Sequence, residues 1–329
     1  MSALFELPSA KAPAAESPAS GGARGGGPEA LLRGLNPRQR EAVVHAGSPL
    51  LIVAGAGSGK TRVLTHRIAY LLAARDVHPG QVMAITFTNK AAKEMAERVA
   101  GLVGRRAAVM WVSTFHSMCV RILRREAKTL ELGSSFSIYD ADDTRRLITQ
   151  VARDLDLDAK RYPARGLAAQ ISNLKNELLD PTDASDRASN DYERRVAEVY
   201  TTYQSRLKLA NALDFDDLIM TTVSMLQAFP AVAEYYRRRF RHILVDEYQD
   251  TNHAQYMLVR ELVGTHGQEG PPPAELCVVG DADQSIYAFR GASIRNIVEF
   301  EQDYPNARTI LLEQNYRSTQ TILQAANSV

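Results

Sequence analysis

An apolar run, Leu50–Ala54, passes directly into Gly55-Ala56-Gly57-Ser58-Gly59-Lys60-Thr61 and then into a stretch of helical pattern. Few folds accommodate that order. A buried strand must end in a turn whose glycines let backbone N–H groups point outward, and a helix must begin at the same place, so that its N-terminus adds a favourable dipole for an anion. This is the context of a phosphate-binding loop. In such a loop Lys60 reaches the β/γ-phosphates of a nucleotide and Thr61 reaches Mg²⁺. The usual pattern begins with glycine, and here Ala54 holds that position, so the match is to the relaxed form of the motif.

The rest of the chain supplies the sheet such a loop needs. From Asn36 onward short apolar runs alternate with helical periods. Leu50–Ala54, Val82–Phe87, Val109–Val112, His242–Asp246, Leu276–Val279 and Thr309–Leu312 read as buried strands. Between them Asn89–Val103 reads as a helix, with Ala92, Met95, Val99 and Leu102 on its apolar stripe. The alternation predicts an α/β fold with a doubly wound, mostly parallel sheet. From about Cys119 to Leu213 the rhythm breaks, and the chain reads as a helical insertion in which Leu147, Val151, Leu155 and Val196, Val199, Tyr200, Tyr203 form core stripes. Residues 1–30 contain 21 Ala, Gly, Pro or Ser and read as a mobile tail.

Composition narrows the function classes mainly by exclusion. The 39 basic and 38 acidic side chains nearly cancel, and residues 118–212 are balanced too, so a nucleic-acid reading must rest on local motifs. Two distant cysteines, Cys119 and Cys277, suggest neither a disulfide framework nor a zinc site and fit a reducing cytosol. No apolar run reaches the length of a membrane span, and the N-terminus has no signal-peptide pattern.

A phosphate site needs a carboxylate for its metal, and His242-Ile243-Leu244-Val245-Asp246-Glu247 is an apolar strand closing on two acids. Asp246 is the candidate Mg²⁺ ligand, and Glu247 the group that orients or deprotonates an attacking water. Asn89-Lys90-Ala91-Ala92 lacks the carboxylate that a guanine-reading motif requires. Upstream, Gln39 offers an amide of the kind that pairs with the edge of adenine.

Eight blocks of sequence occur in one order. They are Leu35-Asn36-Pro37-Arg38-Gln39, Ala54 to Thr61, Thr86-Phe87-Thr88-Asn89-Lys90-Ala91-Ala92, Ser113-Thr114-Phe115-His116-Ser117 and Asp214-Phe215-Asp216-Asp217-Leu218. Val245-Asp246-Glu247-Tyr248-Gln249-Asp250, Gly280-Asp281-Ala282-Asp283-Gln284-Ser285-Ile286-Tyr287 and Leu312-Glu313-Gln314-Asn315-Tyr316-Arg317-Ser318 complete them. The set strongly resembles the UvrD/PcrA/Rep helicases of superfamily one and covers the chain from about Leu35 to its end.

The resemblance implies a RecA-like P-loop NTPase sheet, residues 35–118 and 213–329, interrupted by an all-helical subdomain, 119–212, and preceded by a disordered tail, 1–34. It implies ATP and Mg²⁺ as cofactors. Carried over residue by residue, Gln39 reads adenine, Tyr316 stacks on it, and Arg62 lies beside the nucleotide. Gly55, Ala56, Gly57, Ser58 and Gly59 complete the phosphate cradle with Lys60 and Thr61. Gln284 senses the γ-phosphate, and Arg317 acts as an arginine finger, a role that suits a permanently charged, forked guanidinium. Asp250 is expected only to support the structure.

Phe87, Phe115, Tyr287 and Phe289 follow strands at the sheet edge where α/β folds bind ligands, and aromatic rings there suit unpaired bases. Thr88, Asn89, His116 and Arg290 belong to the same expected nucleic-acid surface, with Lys90 as a further phosphate contact. The family pattern usually has Trp at the position of Phe289, a change that retains stacking in weakened form.

The expected function is an ATP-dependent DNA helicase or translocase, moving 3′ to 5′ along single-stranded DNA and acting at single/double-strand junctions. Its expected setting is the cytoplasm, in association with the nucleoid, alongside repair or replication proteins. The chain stops at Val329 with no second RecA-like sheet, so the resemblance further implies a truncated helicase that binds ATP weakly and unwinds nothing alone. Two rivals stay open: a non-catalytic fragment that binds ATP and single-stranded DNA, and a P-loop ATPase acting on something other than DNA.

Overall fold

Alternating strands and helices assemble around one parallel sheet. The computed structural model describes residues 27–55, 57–265, 270–281, 300 and 302–316. Helix α1 (Pro37–Val44) precedes strand β1 (Leu50–Ala54), and α2 (Lys60–Ala74) follows the glycine loop. Next come β2 (Val82–Thr86), α3 (Asn89–Val103), β3 (Trp111–Thr114) and α4 (Phe115–Arg125). The inserted stretch carries β4 (Ser137–Tyr139), α5 (Ala141–Asp154), α6 (Ala164–Asn176), α7 (Pro181–Arg187), α8 (Asp191–Leu209) and β5 (Ala212–Asp214). The chain then returns through α9 (Phe215–Ala228), α10 (Pro230–Arg239), β6 (His242–Val245), α11 (His253–Val263), β7 (Glu275–Gly280) and β8 (Arg308–Leu312).

The large sheet has the order β3-β2-β6-β7-β1-β8, and every pairing in it is parallel. Side chains alternate between its faces, as the pleat requires. Leu51, Ile85, Ile243, Val245 and Val278 face α4, α9 and α11, whereas Leu50, Ile52, Ala84, Leu244 and Val279 face α2 and α3. Helices cover both faces, which is why these strands read as unbroken apolar runs. Because all strands run the same way, the loops after β1, β2, β3, β6 and β7 gather at one edge.

The inserted helices have a core of their own. Ile148, Val151, Leu167, Ile171, Val196, Val199, Tyr200 and Tyr203 pack together there, apart from the two clusters on the sheet. Met118, Cys119, Ile122 and Leu123 of α4 pack against the sheet instead.

Four expectations need correction. The third strand begins at Trp111, because Gly104–Val109 form a 3₁₀ turn and Val109 is exposed. Its register is set by Trp111 pairing with Met83, and Thr114 ends it by capping α4. Leu102 is exposed rather than part of the α3 stripe. The insertion is not purely helical, since β4 and β5 pair in parallel at its base, Ser137 opposite Ala212. Pro28–Leu32, inside the expected tail, form a 3₁₀ turn whose Leu32 is buried and whose Leu31 carbonyl meets His66 Nδ1 at 2.7 Å.

Cys119 and Cys277 are free and buried, and burial pushes their thiols up to about 12 and about 11. They are inert core residues. Among the described residues no helix is long and apolar enough to cross a membrane.

Candidate nucleotide and nucleic-acid site

The glycine loop leaves β1 at the edge where the other strands also end. Gly57 and Gly59 have φ of +74° and +89°, a region that side chains with a Cβ rarely adopt. A Cβ on Gly59 would also lie 2.9 Å from Gln39 Nε2, whereas one on Gly55 would meet nothing within 4 Å. Gly59→Ala is therefore expected to cost about 1–2 kcal/mol of stability in urea unfolding, and Gly55→Ala much less. Equal midpoints for the two variants would contradict that reading.

Two segments clasp the loop, and one bond braces it from within. Asn36 and Gln39 form a capping box at the start of α1, with Gln39 N donating to Asn36 Oδ1 at 2.8 Å and Asn36 N to Gln39 Oε1 at 3.1 Å. The amide of Gln39 then reaches the loop, Nε2 donating to the Ser58 carbonyl at 3.0 Å. Ser58 Oγ donates back to the Gly55 carbonyl at 2.8 Å. From the segment after β8, the strand paired with β1, Tyr316 N donates to the Gly57 carbonyl at 2.9 Å, and its hydroxyl accepts from Asn36 Nδ2 at 2.8 Å. Gln39, expected to read adenine, is thus buried with both ends of its amide engaged by the protein, while the Tyr316 ring is half exposed. Thr61, partly buried, and Arg62, exposed, lie in the first turn of α2.

The acidic pair closes β6 beside the loop. Asp246 N still donates to the Ile85 carbonyl, so its carboxyl is fixed at the strand end and is nearly buried. Burial, reinforced by the neighbouring Glu247 charge, pushes that carboxyl up to about 7. Glu247 has φ +51°, a left-handed turn that sends its side chain toward α2, where Glu247 Oε2 lies 3.9 Å from Lys60 Nζ. Lys60 Nζ also donates to Asp281 Oδ2 at 3.1 Å, at the end of β7.

Gln249 completes the arrangement. It accepts from Asp281 N at 2.9 Å and donates to Glu247 Oε2 at 2.9 Å and Asp250 Oδ2 at 3.3 Å. Asp281 and Gln249 received no role from sequence reasoning, although both lie in quoted blocks. The available signal was position, one residue past a strand and two residues past the acidic pair at a common edge.

The same edge holds a cavity of about 600 Å³. Phe87 and Phe115 meet edge to face in its wall, centroids 5.7 Å apart, and His116 meets Phe215 in the same way at 5.5 Å. Thr88 lines it while capping α3 through Ala91 N, 3.1 Å away, and the Asn89 side chain accepts from Ser117 Oγ at 3.4 Å. Phe115 is only 1% exposed and packs with the core of α4, so burial leaves it no free face for stacking. Phe215, which sequence reasoning quoted but gave no role, is 48% exposed. Asp250 and Asn252 line the cavity from the loop after β6, and Asn173 and Asn176 line it from α6. Lys90 is exposed.

Ala56, Gln284, Tyr287, Phe289, Arg290 and Arg317 lie outside the described residues. Of the remaining sequence-predicted residues, those of the nucleotide set gather around the loop between β1 and α2. Phe87, Thr88, Phe115 and His116 gather in the cavity.

Comparison with known proteins identifies the family. Residues 35–305 match the model of the UvrD/REP helicase N-terminal domain. The chain is 72% identical over 303 residues to the ATP-dependent DNA helicase UvrD1 of Mycobacterium tuberculosis, covering 91% of this chain and 39% of that protein. It is 67% identical to UvrD1 of Mycobacterium leprae and 56% identical to the ATP-dependent DNA helicase PcrA of Staphylococcus aureus, in each case covering 91% of this chain and 40% of the relative. The chain thus spans about two fifths of the length of these relatives. With the phosphate loop, the acidic pair and the aromatic cavity along one sheet edge, it belongs to the UvrD/REP helicase N-terminal domain family.

Proposed function

We propose that this chain is the nucleotide-binding portion of an ATP-dependent DNA helicase or translocase that moves 3′ to 5′ on single-stranded DNA. One observation supports this best: the Lys60–Asp281–Glu247 cluster and the aromatic cavity share one sheet edge and are joined by the loop after β6. The names of the relatives, all ATP-dependent DNA helicases, support the same reading. Single/double-strand junctions are the substrate, and the setting is the cytoplasm near the nucleoid, among repair or replication proteins.

In this reading the backbone of Ala54–Gly59, Lys60 and Arg62 holds the phosphates, and Tyr316 stacks on adenine. Gln39 reads the base through the amide N–H and lone pair beyond those bonded to Ser58 and Asn36. Among the described residues no three metal-binding side chains converge, which suits Mg²⁺, an ion held by one or two protein ligands together with phosphates and water. Thr61 and Asp246 are those ligands, and Asp246, raised toward neutrality, is held ionised by a cation. Mg²⁺, when bound, neutralises phosphate charge. Glu247 then orients water and accepts its proton, while Gln284 and Arg317 attend the γ-phosphate by family resemblance. On the DNA side, Phe87, Phe215, Tyr287 and Phe289 offer faces to bases, Thr88, Asn89, His116 and Arg290 contact the backbone, and Phe115 supports Phe87 from behind.

A fluorescent oligo(dT) titration tests the reading. The chain is expected to prefer single strand to duplex, and Phe215→Ala is expected to weaken binding by roughly tenfold, the low-to-middle range for loss of one stacked base. Equal affinity for duplex and single strand, or no effect of the substitution, would contradict the proposal. ATP binding without DNA-stimulated turnover would favour the non-catalytic alternative.

A further inference from the structure

Gln249 is 1% exposed, and its three hydrogen bonds run in three functional directions. Its Oε1 accepts from the backbone N–H of Asp281, whose own side chain grips Lys60. Its Nε2 donates to Glu247 Oε2, which lies 3.9 Å from Lys60 Nζ, and to Asp250 Oδ2 on the wall of the aromatic cavity. One buried amide therefore touches the ends of two strands, the lysine's counter-ion and the cavity.

That placement makes it sensitive to phosphate. The Asp281 side chain is 2% exposed, and Lys60 is the cation recorded beside it. A phosphate that draws Lys60 away takes the 3.1 Å charge contact from a buried carboxylate, so the forces on Asp281 change, and with them the position of the backbone N–H that Gln249 holds. An amide has one acceptor oxygen and one NH₂ group, so a change at Oε1 is carried through a planar group to the bonds that Nε2 makes.

We propose that Gln249 is a positioning residue that couples occupancy of the phosphate cradle to the aromatic cavity, through Asp281 on one side and Glu247 and Asp250 on the other. This rests on the functional reading above, in which the cradle takes Mg-ATP and the cavity takes single-stranded DNA. Gln249 itself touches neither ligand.

The test is thermodynamic linkage in the full chain. Oligo(dT) affinity is measured by fluorescence anisotropy with and without saturating, slowly hydrolysed ATP analogue and Mg²⁺, and analogue affinity is measured separately without DNA. Wild-type protein is expected to change its oligo(dT) affinity by about fivefold or more when the analogue is bound, the usual lower bound for coupled sites. Gln249→Met, similar in length but without the amide, is expected to bring that ratio to within about twofold of unity. Each ligand's separate affinity is expected to stay within about threefold. A loss that was only structural would weaken both separate affinities and lower the melting temperature without selectively removing the ratio.

Gln249→Glu is the second variant. It keeps an acceptor for Asp281 N–H while facing Glu247 with a carboxylate, so it too should lose the linkage, and it decides the matter if the methionine variant does not fold. A wild-type ratio of one, or an unchanged ratio in a folded variant, overturns the coupling role. Failure of wild-type protein to bind oligo(dT) or the analogue at all overturns the functional reading itself, and the coupling role with it.

Discussion

Lys60→Ala and Glu247→Gln are each expected to lower ATP turnover, measured with saturating oligo(dT), by about 10²–10⁴-fold, and to do so for separable reasons. Lys60 brings a nearly buried ammonium to the N-terminus of α2, within 3.1 Å of Asp281 and 3.9 Å of Glu247. Its removal takes away the cation that meets phosphate charge both in the bound nucleotide and as chemistry proceeds. Nucleotide affinity should therefore fall together with turnover. Glu247→Gln keeps the side chain's shape, and its carbonyl oxygen can still accept from Gln249 Nε2, the bond now made at 2.9 Å. What it loses is the ability to take a proton, so nucleotide affinity should stay within a few-fold of wild type while turnover collapses. Full turnover in either variant, or a glutamine variant whose only defect is in affinity, would remove the assigned role.

The nucleotide half of the site was readable because its parts are local in sequence. Strand, glycine loop, Lys60 and the start of α2 are contiguous, and Asp246 and Glu247 end a single apolar run, so residue order alone puts each group at the sheet edge. Contacts between distant segments were not readable. Nothing in the sequence says that the Gln39 amide bonds Ser58, that Tyr316 docks on Gly57, or that Asp281 neutralises Lys60 across 221 positions.

The aromatic residues show the same limit from the other side. Phe87, Phe115 and Phe215 all begin loops or helices beyond strands, yet the side-chain environments differ, and only packing reveals that Phe115 is buried while Phe215 is open. Val109 misled because an apolar β-branched residue beside a strand looks like part of it, whereas the register is fixed by Trp111 opposite Met83. Thr88, Thr114 and Asp214 stand directly before helices, and caps of this kind explain why strand ends and helix starts were placed more closely than side-chain partners.

Lys175→Met is expected to destabilise the fold by about 3–5 kcal/mol at neutral pH, read as a fall in the urea midpoint. Lys175 extends from α6 of the insertion into the start of α9, with its side chain fully buried and Nζ 2.7 Å from both Asp214 Oδ2 and Asp217 Oδ1. Burial alone would lower its pKa, but the two carboxylates outweigh that and hold the ammonium above its ordinary value. Tyr203 Oη donates to Asp214 at 2.8 Å and Gln204 Nε2 to Asp217 at 3.0 Å, so the ion cluster also binds α8 to the same point. Methionine fills much of the lysine volume, and the cost therefore comes from two buried carboxylates left facing one another. In the variant, repulsion and burial should raise the folded-state pKa of that pair above the unfolded value. Protons then bind preferentially to the folded state, and the lost stability should return as pH falls through the raised pKa. The double replacement Lys175→Met with Asp217→Asn removes one of the two charges and should recover most of the loss at neutral pH, whereas a packing defect would be indifferent to both acid and the second substitution. Because Asp214 and Asp217 form the capping box that starts α9 one residue before Phe215, the single variant should also weaken oligo(dT) binding, and the double variant should restore part of it.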